Sequence, residues 1–163
     1  MQPSEPAGPP RGTASAGPRR TAPAPQPIAA VVRTFRWSDH PATVGLWERT
    51  GRDAVPEREL RAALEHGPEL MVVADRADTG LVGAVLGTFD GRRGWIQRLA
   101  VLPEHRRGGV ASALVGELEQ RLAARGAPRV NLLVLPDNPE GLRFWQRRGY
   151  LPCPDVLCTK PLT

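Results

Sequence analysis

The sequence predicts one α/β domain of the α+β kind. It should hold a mixed, mostly antiparallel sheet of six to seven strands with four helices, in the order β-α-α-β-β-β-α-β-α-β. Three observations carry that expectation. Between Glu69 and Leu102 the apolar runs "ELMVVAD", "LVGAVLGTF" and "WIQRLAVL" are parted only by short turns, the grammar of an antiparallel meander. Leu114, Leu118 and Leu122 then recur every four residues, with Val115 beside them, as one face of a helix. Finally "RVNLLVL" is almost continuously apolar, fit for a strand covered on both faces.

The elements follow in order. Residues 1–27, "MQPSEPAGPPRGTASAGPRRTAPAPQP", are mostly Pro, Ala, Gly, Ser, Thr and Arg. Such a stretch buries too little apolar surface to offset its chain entropy, so it reads as a disordered tail ahead of a domain over 28–163. "IAAVVRTF" reads as the first strand. "SDHPATVGLWERTG" reads as a helix with Ser38 or Asp39 as N-cap and Gly51 as stop. Pro56 opens a second helix, with Leu60, Ala63 and Leu64 on one face and Gly67-Pro68 as its end. The meander comes next, then a helix that begins after Gly109 and ends at Gly126 and Pro128. Glu117 and Arg121 form a favourable surface pair on it. Asn138-Pro139 has the pattern of N-cap and first helical residue for "PEGLRFWQRR", which stops at Gly149. "YLPCPDVLCTKPL" supplies one or two closing strands.

The 163 residues suffice for one core, and 40% hydrophobic with 24% charged residues is a globular composition. A net charge of +5 favours anionic partners. Cys153 and Cys158 lack the spacing and companions of a zinc site or a disulfide framework, and read as reduced thiols of a cytoplasmic protein. No metal is expected. No apolar run approaches the ~20 residues of a membrane span. Arg19-Arg20 is not followed by the hydrophobic region of an export signal. Aromatic residues are only 5%, and no helix-turn-helix, RNP or zinc pattern occurs, which argues against a nucleic-acid binder.

The most informative stretch is "LAVLPEHRRGGVASALVGELEQRLAARGAP". Arg106, Arg107, Gly108 and Gly109 stand between a strand and a helix. The first N–H groups of a helix lack internal partners and carry partial positive charge, so they suit phosphate. The glycines allow close backbone approach and the arginines add charge, as a diphosphate ligand would need; the other reading is an Arg/Gly surface turn that starts an ordinary helix. The P-loop and dinucleotide spacings are both missing.

Arg106-x-x-Gly109-x-Ala111, after a strand and "VLPEHR", resembles the Arg/Gln-x-x-Gly-x-Gly/Ala signature of the GNAT acetyltransferase family. "LAVLP" is similar to that family's fourth strand, and "NPEGLRFWQRRGY" to its later Asn, apolar-aromatic and Gly-aromatic segment. The likeness spans most of residues 29–160. "LWER", "FDGRRG", "LEQRLAARGAP" and "DVLCTKPL" are similar to small bacterial YpeA-type acetyltransferases. The resemblance implies an acetyl-CoA site. The backbone N–H groups of Arg107, Gly108, Gly109, Val110, Ala111 and Ser112 would cradle the pyrophosphate, with Arg106 adding charge. Leu99, Ala100 and Val101 would lie along the pantetheine arm, in a gap opened by a bulge between this strand and "RVNLLVL". Asn138 is a plain N-cap, a contact of the CoA arm, or both. Trp145 packs or lines the thioester tunnel.

The resemblance also implies a backbone N–H near Leu99 as donor to the thioester oxygen. The side-chain acid and base are less plain. The position where many relatives carry a tyrosine is Trp145, an indole that donates a hydrogen bond but is a poor acid. The only tyrosine, Tyr150, matches the family's terminal aromatic position, usually a packing residue, and is the one phenol on offer as acid. Positions where relatives carry a glutamate are Leu133 and Trp95, leaving Glu48, Asp90, Glu104, His105 and Asp137 as candidate bases. The same resemblance puts Trp47, Arg49 and Arg52 near the acceptor groove, with a core role for Trp47 as the other reading. The expected activity is acetyl transfer from acetyl-CoA to a primary amine, of a small molecule or a protein, by a monomer or homodimer. The alternative is an acyl-CoA-binding sensor with little turnover.

Overall fold

The computed structural model describes residues 29–162. The expected tail, and Ile28 at the start of the first strand, lie outside the described residues. The elements are β1 (Val31–Thr34), α1 (His40–Arg49), α2 (Glu57–Glu65), β2 (Met71–Arg76), β3 (Gly80–Phe89), β4 (Gly94–Val101), α3 (Val110–Ala124), β5 (Val130–Leu132) and α4 (Pro139–Arg147). The sheet order is β1-β2-β3-β4-β5, antiparallel throughout except for the parallel β4–β5 pair.

Two expectations about strands change. The described sheet has five strands, not six or seven. Residues 151–162 form no strand; Pro152, Pro154 and Pro161 fall among them and lack the N–H that a ladder needs. The "RVNLLVL" run pairs only at Val130–Leu132, and Leu133 and Leu135 are 65% and 68% exposed. It is not a strand covered on both faces.

The start of α1 also differs. Ser38 lies in a one-turn 3-10 helix, Trp37–Asp39, ahead of it. Asp39 is the N-cap residue of α1, but its carboxylate turns back to accept from the Arg36 N–H at 2.8 Å and from Arg33 Nη1 at 2.7 Å. Arg33 also donates to Asp75 at 2.9 Å, joining β1, the turn and β2. Pro56 precedes α2 as its N-cap rather than standing inside its first turn.

The sheet carries a core on each face. Under α1 and α2 lie Phe35, Leu46, Trp47, Leu60, Leu64, Met71, Val73, Ala84, Leu86, Ala100 and Leu102. Against α3 and α4 lie Val72, Ala74, Val85, Ile96 and Val101, with Leu114, Val115, Leu118, Leu122 and Trp145. The leucine period read from the sequence is this second interface. Three glycines bring α3 close to the sheet. A Cβ at Gly83, Gly87 or Gly94 would sit 2.9, 2.5 or 3.0 Å from Cδ1 of Leu114, Leu118 or Leu122. Arg121 clamps the other side of α3, donating to Glu117, Thr34 Oγ1 and the Glu69 carbonyl.

Candidate active site

The site begins with a fault in the β3–β4 ladder. Ala84 faces Ala100 and Leu86 faces Gln97, so Arg98 and Leu99 together oppose Val85. This is a β-bulge, and Arg98 takes a left-handed φ of 52° to make it. On its other edge β4 pairs with β5 only through Gly94, Trp95 and Ile96. Past Ile96 the two strands part.

A cleft of about 950 Å³ follows the parting. Leu99, Ala100 and Val101 line one side, and residues 132–135 the other. One end is walled by Thr50, Gly51, Arg52 and Asp53, from the α1–α2 loop. The other end is the turn into α3. There Arg107 (φ 61°) and Gly109 (φ 82°) are both left-handed, and nothing lies within 4 Å of where a Gly109 Cβ would stand. Arg106 curls back, its Nε donating to the Val101 carbonyl at 3.1 Å. The Arg-Arg-Gly-Gly run turns the chain so that α3 starts with its free N–H groups at the cleft.

Most residues singled out from the sequence meet here. Leu99, Ala100, Val101, Arg106, Arg107, Gly109, Ala111, Ser112, Asn138 and Trp145 all line the cleft. Gly108 and Val110 belong to the same turn without being among the lining residues, and Val110 packs toward the α3 core. Asn138 is an N-cap, its Oδ1 accepting from the Gly141 N–H at 2.9 Å. Trp145 is buried and stacks edge-on between Phe144 and Tyr150.

Tyr150 stands apart from the cleft residues. It does not line the cleft; its hydroxyl donates to Glu119 on α3 at 2.7 Å. Burial, together with that carboxylate, pushes the phenol well above its ordinary range. Its ring packs edge-on against Trp145. Trp47 is fully buried in the α1 core, and Arg49 pairs with Glu104. Of the three residues placed near the acceptor groove, only Arg52 lines the cleft. Asp137 is the one candidate base that does so. Asp90 is occupied capping its own turn, accepting from the N–H groups of Arg92 and Arg93.

Sequence reasoning missed Arg98. Its Nη1 donates to the Asp53 carbonyl at 2.8 Å, tying the bulge to the α1–α2 loop. Arg52 is half-buried; its backbone N–H donates to the Trp47 carbonyl at 2.9 Å, and its guanidinium makes no hydrogen bond or ion pair among the described residues. Burial lowers its pKa, and the charges of Arg98 and Arg106 lower it further. No group of His, Cys, Asp and Glu among the described residues is arranged to hold a metal.

An α+β sheet with a bulge in β4, a parted β4–β5 edge and a helix N-terminus beside it is the arrangement that the sequence resemblance implies. The Acetyltransferase (GNAT) family model matches residues 30–150, and the chain belongs to that family. An acetyltransferase of Sodalis glossinidius is 37% identical over 124 residues, covering 73% of this chain and 85% of the relative. Another, from Pectobacterium atrosepticum, is 37% identical over 73% of this chain and 86% of its own. Among solved structures, Ard1 from Thermoplasma volcanium superposes with a TM-score of 0.69 at 24% identity, covering 76% of this chain and 84% of that one. AAC(6')-Iy in complex with a CoA-based bisubstrate analogue gives 0.65 at 17%, covering 82% and 99%. No helix among the described residues is long and apolar enough to cross a membrane.

Proposed function

We propose that this acetyltransferase moves the acetyl group of acetyl-CoA directly to a primary amine held in the same cleft. The observation that carries the reading is the continuous path from the α3 N-terminus, along Leu99–Val101, to the bulge at Arg98. It offers positive charge and free N–H groups at one end, and a parted strand edge at the other.

Each segment fits one part of the donor. The turn at Arg107–Gly109 and the first turn of α3, through Ala111 and Ser112, hold the pyrophosphate by backbone N–H groups and helix dipole. The open space beside Gly109 is what a close phosphate needs. The backbone of Leu99–Val101 lies along the pantetheine arm, with Asn138 and Trp145 across from it. Leu99, inside the bulge, directs its N–H at the thioester oxygen as that oxygen gains negative charge.

The amine nitrogen attacks the carbonyl carbon, and the carbon–sulfur bond breaks. Sulfur leaves with the electron pair, and the proton lost by nitrogen passes through water. With Tyr150 turned to Glu119, proximity in the cleft contributes more to the rate than a side-chain acid does. Asp137, on the cleft wall, is the carboxylate placed to receive a proton by way of water.

Calorimetric titration with acetyl-CoA, followed by thiol release with a panel of amines, tests the proposal. Saturable micromolar binding and amine-dependent release are expected. A folded protein that does not bind acetyl-CoA would refute it.

A further inference from the structure

The arginines that line the cleft are not all at the turn into α3. Arg106 and Arg107 stand at the turn assigned to the pyrophosphate. Arg52 and Arg98 line the same cleft from the α1–α2 loop and the bulge, and the pantetheine arm between these two ends is neutral. Neither forms an ion pair among the described residues, whereas Arg121 and Arg148 pair with Glu117 and Glu119 on α3. Arg98 is held in place by its bond to the Asp53 carbonyl, which occupies one of its five N–H groups. Arg52, next to Asp53 in the chain, is near enough to Arg98 and Arg106 for their charges to act on it. Asp53, Asp137 and Glu140 line the same cleft, yet none is ion-paired with Arg52 or Arg98 among the described residues, so both guanidiniums keep N–H donors for an anion that enters it.

We infer that the acceptor is a small amine that also carries an oxyanion, a carboxylate or phosphate, and that Arg52 and Arg98 bind that group and so set acceptor specificity. This rests on the acetyl-transfer reading above. A guanidinium fork matches a carboxylate or phosphate by paired N–H donors. Placed at the bulge, such a grip leaves the amine of an amino acid or amino phosphate facing the parted strands. The same cluster repels a polycationic acceptor such as a polyamine.

The test compares matched acceptors under saturating acetyl-CoA: an α-amino acid against its amide, and phosphoethanolamine against ethanolamine. The expected result is a kcat/KM at least about tenfold higher for the anionic member of one pair, the pair identifying carboxylate or phosphate. Arg52→Gln should remove most of that preference through the acceptor KM, with the KM for acetyl-CoA unchanged. Arg98→Lys should keep part of it. Equal or better use of the neutral members overturns the inference, as does an Arg52→Gln defect confined to acetyl-CoA. If acetyl-CoA binds but no amine releases thiol, the transfer reading fails. Titrating the CoA-loaded protein with the same pairs then decides the inference: anion-dependent binding lost in Arg52→Gln supports it, and no difference within the pairs overturns it.

Discussion

Nη1 of Arg98 donates to the backbone carbonyl of Asp53 at 2.8 Å, joining residues 45 apart in the chain. One partner belongs to the bulge of β4, the other to the loop between α1 and α2. The bond makes the floor and the end wall of the cleft a single unit. The bulge therefore both opens the sheet and anchors the loop beside the opening.

Gly109 tests the phosphate end. It is left-handed and has open space around its missing side chain, so Gly109→Glu adds bulk and negative charge where a diphosphate is proposed. Titration should show acetyl-CoA binding lost, with only a small fall in melting temperature. Asn tolerates left-handed φ, so Gly109→Asn should remain a CoA binder with weakened affinity.

Tyr150→Phe separates acid from packing. The variant loses the hydrogen bond to Glu119 and keeps the ring against Trp145. Steady-state kcat should be within about twofold of the parent, with stability lower by about 1 kcal/mol. A hundredfold loss of kcat would return the phenol to the chemistry.

Acid stability depends on Asp39. The Arg33 guanidinium holds its carboxyl below the usual aspartate range, helped by the Arg36 N–H and opposed by burial. A depressed carboxyl pKa stabilises the fold above the unfolded value of about 4, and that contribution fades as pH falls through the folded value. Arg33→Met should lower stability by about 1–3 kcal/mol at pH 7. Melting curves across pH should show parent and variant converging below about pH 4.

Gly87 sets the height of α3. Its Cβ would lie 2.5 Å from Cδ1 and 3.2 Å from Cγ of Leu118, which is fully buried. Gly87→Ala should cost about 1–3 kcal/mol by overpacking. The double variant with Leu118→Ala should be less destabilised than the two single costs combined, as denaturant titration would show.

Much of this architecture is legible in the sequence because local patterns and tertiary packing agree. The leucine period of α3, the meander turns and the Asn138-Pro139 cap each announce an element by chemistry that acts within a few residues. The Arg106–Gly109 turn is legible for the same reason. Arg98 is not, because a left-handed arginine in a bulge leaves no glycine or proline to mark it. Leu133 and Leu135 mislead in another way: a cleft wall and a buried strand are both written in apolar residues. The partner of Tyr150 depends on how α4 docks on α3, and no spacing within either segment encodes that.

Side chains along a regular strand alternate between faces, so residues an even number apart share one. Ile96 packs on the α3 side and Ala100 on the α1 side, four residues away, while Val101 and Leu102 continue the alternation. Omit Arg98 from the count and the alternation runs unbroken from Ile96 to Leu102. Both cores would be served by a strand one residue shorter. Arg98 is thus an odd number inserted into an even pattern, supernumerary to the hydrophobic interior. Deleting it would return β4 to a plain ladder against β3, with the same two cores.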